Sequence, residues 1–226
     1  MTAVQDAVQP RIRVKLCGLT RADDIAAMVD SGADAVGMVF YPPSRRAINA
    51  QQAAALCARL PALLSRVGLF VNPTADEVRA VLAQAPLDVL QFHGEESPEF
   101  CRQFGRPYIK AFRVGAPKHE QALSLLAQCR RYADAAGWLF DSYTPEYGGS
   151  GQSFDLSILS AMQAHCQADD APLIVAGGLN ADNLATKLHA LQQRPYAVDV
   201  SSGIELSPGH KCPTKIRAFM SALQHC

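Results

Sequence analysis

Apolar and β-branched residues gather into eight short runs along the chain, at positions 11–17, 34–40, 66–72, 88–93, 108–114, 138–142, 173–176 and 197–201. Stretches with helical spacing lie between them, so the pattern predicts strand and helix in strict alternation. Start signals support the helices. Thr74 followed by Glu77 has capping-box spacing, Ser97 precedes a helix-compatible Pro98, and Asn49 and Asn180 each stand before a helical stretch. A last amphipathic segment runs from Thr214 to Leu223. Alternation implies parallel strands, and eight units imply closure into a (β/α)8 TIM barrel of the α/β class. An open doubly wound sheet is disfavoured, because no Gly-x-Gly-x-x-Gly turn follows the first strand.

Strand alternation also sorts side chains by face. Ile12, Val14 and Leu16 share one face of the first strand, with Lys15 and Cys17 on the other. Gln91 and His93 oppose Leu90 and Phe92, Asp141 lies with Leu139, and Asp199 and Ser201 oppose Val198 and Val200. The apolar faces are expected to meet the helices, and the polar ones to converge on the barrel axis. A barrel interior packs better with branched apolar residues, so this convergence of Lys, Cys, His and Asp points to a site at the C-terminal rim. The alternative is a layer of buried polar groups that satisfy one another. Within Lys15–Thr20 the cysteine ends a strand, Gly18 turns the chain, and Thr20 is placed to cap the next helix.

Composition narrows the picture. With 226 residues, 49% of them hydrophobic, the chain has enough apolar material for one sizeable core. A single domain over 11–226 is expected, with 1–10 as a flexible polar leader carrying no signal-peptide pattern. The formal net charge is zero and the charges are interleaved, which disfavours nucleic-acid binding. No apolar run is long enough to span a bilayer. Seven scattered cysteines without a Cys-x-x-Cys pair argue against a disulfide framework or a zinc site, and for a reducing cytoplasm.

Three glycine-rich turns follow strands six, seven and eight: Gly148-Gly149-Ser150-Gly151, Gly177-Gly178 and Ser202-Gly203. Glycine lets backbone N–H groups approach an anion, and barrel enzymes hold substrate phosphate at this end. No Walker-type lysine follows them, which favours a sugar phosphate over a nucleoside triphosphate.

In order and spacing these blocks resemble the phosphoribosylanthranilate isomerase family. The resemblance spans Arg13 to Phe219 and rests on Lys15–Thr20, Gly37–Phe40, Ser44–Arg46, Val67–Asn72, Leu90–Gly94, Asp141, Gly148–Gly151, Phe154-Asp155, Ala176–Leu179 and Val198–Glu205. It implies an Amadori rearrangement of N-(5-phosphoribosyl)anthranilate, the third step of tryptophan biosynthesis, without metal or cofactor. Cys17 is then the general base and Asp141 the general acid. Arg46, favoured over Arg45 by spacing, pairs with the substrate carboxylate, and His93 lines the site. Gly149, Gly151, Gly177, Gly178, Ser202 and Gly203 hold the phosphate. Lys15 is a candidate for the positive charge that a Cys17 thiolate needs, Asp199 is a structural acceptor, and Asp155 caps the sixth helix. Family members occur as monomers and dimers; a monomer is expected here, with a dimer as the alternative. The chain departs from the family at Cys212, where an aspartate is common and where the last helix would be capped. Three rivals are weaker. A histidine-pathway isomerase would carry an aspartate at position 17. A non-catalytic barrel would lose the acid or base. A thiol-redox protein would need a resolving cysteine near Cys17.

Overall fold

The computed structural model describes residues 11–116, 121–143 and 155–226. The expected leader, Gly148–Gly151 and Phe154 lie outside the described residues. Eight parallel strands close in sequence order into a barrel: β1 (Arg13–Cys17), β2 (Ala35–Phe40), β3 (Ser65–Phe70), β4 (Val89–Phe92), β5 (Tyr108–Val114), β6 (Gly137–Ser142), β7 (Leu173–Val175) and β8 (Ala197–Val200). Their ends differ from the expected runs by a residue or two. Closure is made by β1 against β8, in a register that sets Lys15 beside Asp199. The helices are α1 (Ile25–Asp30), α2 (Ala50–Cys57), α3 (Ala75–Leu82), α4 (Pro98–Arg102), α5 (Ala122–Arg130), α6 (Ser157–Gln163), α7 (Leu184–His189) and α8 (Pro213–Gln224). Beyond β8 the chain adds a small hairpin, β9 (Glu205–Ser207) against β10 (His210–Lys211), which the hydrophobic pattern did not announce. No helix among the described residues is long and apolar enough to cross a membrane.

Local chemistry explains the starts of three helices, α2, α3 and α4. Asn49 with Gln52, and Thr74 with Glu77, form reciprocal capping boxes, and the Ser97 hydroxyl accepts from the Phe100 amide ahead of Pro98 at the first helical position. Asn180 makes the same reciprocal pattern with Asn183, and its carbonyl accepts from the Leu184 amide, so it closes the turn that leads into α7, whose regular span begins at Leu184. One expected start is corrected. Thr20 caps no helix; its hydroxyl donates to the Gly209 carbonyl at 2.6 Å, tying the end of β1 to the late hairpin. Asp155 accepts from the amide and hydroxyl of Ser157 just before α6, as a cap does.

The outer faces of the strands pack on the helices as the alternation requires. Leu16, Met38, Phe70, Phe92, Trp138 and Phe140 are all essentially inaccessible there. Full burial of each such side chain contributes about 1.5–3 kcal/mol. Inside the barrel, Ile109, Ala111, Leu139, Ile174, Ala176 and Ala197 fill the lower layer, and Cys17, Val39, Leu69 and Val71 form a second apolar group. The polar residues of the strands sit among and beyond these layers.

One buried ion pair outside the barrel fixes its rim. Lys110 donates to Glu96 at 2.7 Å and to the Gly94 carbonyl at 2.6 Å. Glu96 in turn accepts from the amides of Asn72 and Gly94, so the segments after β3 and β4 are joined. Gly94 has no space for a side chain: a Cβ there would lie 2.2 Å from Asn72 Oδ1. This clamp holds His93, the preceding residue, in place.

Candidate active site

Cys17 closes β1 and is buried. Its neighbour on the same face, Lys15, is also buried and donates to Asp199 Oδ1 at 2.9 Å across the β1–β8 seam. Burial works against the Lys15 charge, but the Asp199 carboxylate and the Cys17 sulphur more than restore it, so the ammonium is held firmly protonated. For Cys17, burial dominates and pushes the thiol up; Lys15 opposes this, Asp199 adds to it, and Lys211 pulls down. Both side chains fit because β2 offers Gly37 opposite them. A Cβ at Gly37 would lie 2.8 Å from Cys17 Sγ and 3.0 Å from Lys15 Nζ.

Asp141 sits near the end of β6 and is partly exposed. Its Oδ1 accepts from the Ser142 amide at 2.8 Å, while Oδ2 lies 3.3 Å from His93 Nε2. His93 Nδ1 is 3.1 Å from the Gln91 amide nitrogen. With that amide as donor, Nδ1 accepts and the ring proton sits on Nε2, facing Asp141. Gln91 Oε1 and Ser201 Oγ are buried without a hydrogen-bond partner among the described residues, and His93 Nε2 meets the Asp141 carboxylate in a geometry short of a hydrogen bond. Such under-satisfied atoms at the barrel mouth mark a surface built to meet a polar ligand.

Arg46 enters from the loop after β2 and is buried, whereas Arg45 is exposed. Its guanidinium is gripped by Glu205, with Nε to Oε1 at 2.9 Å and Nη2 to Oε2 at 2.6 Å. Burial disfavours the Arg46 charge, but the Glu205 carboxylate outweighs it and raises the guanidinium pKa. Lys211, from β10, donates to Glu205 Oε1 at 2.8 Å and to the Cys17 carbonyl. Neither Glu205 nor Lys211 was singled out from the sequence as a site residue.

Cys17, Ser44, Arg46, His93, Asp141 and Asp199 line one cavity of about 70 Å³ at the barrel mouth. A thiol, a carboxylate and a guanidinium thus face one small volume, suited to moving protons on a bound anion. Nearby, Gly177 and Gly178 turn with φ of +82° and +61°, in the left-handed region. Gly203 packs so closely on this turn that a Cβ would lie 1.9 Å from the Leu179 carbonyl oxygen. The turns after β7 and β8 are therefore in contact, and Gly178, Ser202 and Gly203 share an open concavity of about 480 Å³. Gly149 and Gly151 lie outside the described residues. Among the described residues no group of three His, Cys, Asp or Glu is arranged to hold a metal ion.

Comparison with known proteins points to one family. A profile of N-(5'-phosphoribosyl)anthranilate isomerase matches residues 14–222. The Bordetella pertussis N-(5'-phosphoribosyl)anthranilate isomerase is 52% identical over 214 residues, covering 95% of this chain and 96% of its own. Among solved structures, the Thermotoga maritima isomerase superposes with a TM-score of 0.82 at 36% identity, covering 95% of this chain and 100% of its own; that protein is elsewhere described as dimeric. A second solved structure, an isomerase in complex with reduced 1-(o-carboxyphenylamino)-1-deoxyribulose 5-phosphate, gives 0.79 at 33% identity, with coverage of 95% and 100%. The thiol at the end of β1, the carboxylate near the end of β6 and the paired glycine turns are set in a fold and sequence shared with these proteins, and the chain belongs to the N-(5'-phosphoribosyl)anthranilate isomerase family.

Proposed function

We propose that this isomerase carries out the Amadori rearrangement of N-(5'-phosphoribosyl)anthranilate with Asp141 as the acid and Cys17 as the base. The observation that carries the assignment is that a buried thiol and a carboxylate line one cavity, the thiol beside the Lys15 ammonium and the carboxylate 3.3 Å from the His93 ring. Asp141 delivers a proton to the furanose ring oxygen, the ring C–O bond breaks, and the nitrogen lone pair, its hydrogen retained, completes a protonated imine. Cys17 as thiolate then removes the proton from the second sugar carbon, leaving an enolamine that tautomerises to the ketone. Burial raises the thiol's proton affinity, so thiolate formation depends on the facing Lys15 and Lys211 ammonium groups. Arg46 receives the anthranilate carboxylate, for which a guanidinium is better shaped than an ammonium. The Gly177-Gly178 and Ser202-Gly203 turns hold the phosphate by backbone amides, with Gly149 and Gly151 as further candidates. His93 keeps a lining role beside Asp141.

The test is the consumption of freshly generated phosphoribosylanthranilate, followed by its fluorescence. Cys17→Ser and Asp141→Asn should each lower turnover by about 10²–10⁴-fold with folding retained. Near-normal turnover in either folded variant removes that residue from the mechanism. A monomer is the expected working unit, with a dimer as the alternative; sedimentation at assay concentration distinguishes the two. All seven cysteines are free thiols, which supports a reducing compartment such as the cytoplasm.

A further inference from the structure

Glu205 is a heavily engaged carboxylate at the barrel mouth. It is buried, and it accepts from Arg46 Nε at 2.9 Å, Arg46 Nη2 at 2.6 Å, Lys211 Nζ at 2.8 Å and the Gly209 amide at 3.2 Å. Two consequences follow from this geometry. First, the Arg46 fork is fixed along one edge, and Nη1 has no partner among the described residues. Second, two cations share one anion, so the buried trio carries one net positive charge. Lys211 also holds the carbonyl of Cys17, which joins the same carboxylate to the strand end that carries the thiol.

We infer that Glu205 is the positioning residue that selects an aryl ring bearing a carboxylate, by turning the Nη1 edge of Arg46 toward the cavity. The inference rests on the carboxylate-binding role given to Arg46 above. It differs sharply from a bland alternative in which Glu205 only neutralises its neighbours. Charge balance alone predicts that removing the Glu205 charge strengthens the pull on a substrate anion. Positioning predicts that the same change weakens it, because an Arg46 released from its fork no longer points one way.

The test compares two probes by their dissociation constants: reduced 1-(o-carboxyphenylamino)-1-deoxyribulose 5-phosphate, and its phenylamino counterpart lacking the carboxylate. The unaltered enzyme should prefer the carboxylated probe by about tenfold or more, the range of one charge-assisted hydrogen bond. Glu205→Gln should reduce that preference to about threefold or less, with the affinity for the phenylamino probe nearly constant. Glu205→Asp keeps the charge but shortens the reach, and should lose the preference in the same way. It carries the test if the glutamine variant does not fold. In an Arg46→Ala background, where the preference is already gone, Glu205→Gln should change nothing further. An undiminished or increased preference in the folded Glu205 variants overturns the positioning role while leaving Arg46 in place. An undiminished preference in Arg46→Ala overturns the Arg46 assignment itself, and this inference with it.

Discussion

At the scale of single residues, the site depends on one absent side chain as much as on those present. Gly37 has an ordinary extended backbone on β2, so its value is space and not conformational freedom. Alanine there would press on Cys17 Sγ and on the end of Lys15, forcing one of them to move by several tenths of an ångström. Gly37→Ala should therefore fold, with a melting temperature within a few degrees of the parent, yet turn over about 10–100-fold more slowly. Full activity in that variant would show that the Lys15–Cys17 spacing is not demanding. The residues facing the barrel axis were legible in advance because a period of two sorts them without knowledge of the fold; Lys15, Cys17, His93, Asp141 and Asp199 all come from strand ends. Glu205 and Lys211 were not, because they reach the site from a hairpin that follows the last barrel strand. The available signal was the Ser207-Pro208-Gly209 turn between two short runs, with an acid at the start of one and a base at the end of the other. Thr20 was misread for a related reason: local spacing offered it a helix, but a carbonyl brought from far along the chain took its hydroxyl.

At the scale of elements, side-chain caps fix where α2, α3 and α4 begin, and the last helix is among those that lack one. Cys212 occupies the N-cap position of α8 with extended backbone angles, but its side chain accepts no hydrogen bond from the first turn. The reading of this position as a cap was correct, and the thiol fills it poorly because sulphur is a weak acceptor. Cys212→Asp should stabilise the protein by about 1 kcal/mol, through a charge-assisted bond to an early amide and the helix dipole. Thermal denaturation should show a rise of about 2–4 °C for a chain of this size, with turnover within a factor of about two. No rise would mean that other groups already satisfy the first turn of α8. The elements were legible where periodicity and cap agreed, as at Asn49, Thr74 and Ser97. At Asn180 the cap was legible but the boundary was not, because the capped turn runs three residues before the regular helix begins at Leu184.

At the scale of the whole molecule, the barrel brings together groups that are remote in sequence. Lys15 meets Asp199 across 184 positions, and Lys211 meets the Cys17 carbonyl across 194. Asp141 comes from the middle of the sequence, while the surroundings of Cys17 are drawn from segments far apart in it. The single tryptophan, Trp138, instead sits on β6, with its indole donating to the Tyr132 carbonyl six residues away. Contacts between distant segments close later than local ones, because the intervening chain must be ordered first. On dilution from denaturant, Trp138 fluorescence should reach its native value before enzymatic turnover returns; simultaneous recovery would mean that the barrel closes in one concerted event. The β1–β8 seam therefore gives the protein a chronology. A nascent chain emerging from the ribosome carries the Cys17 sulphur long before Asp199 and Lys211, and that sulphur gains its full charged surroundings only when the last strand and the hairpin beyond it arrive.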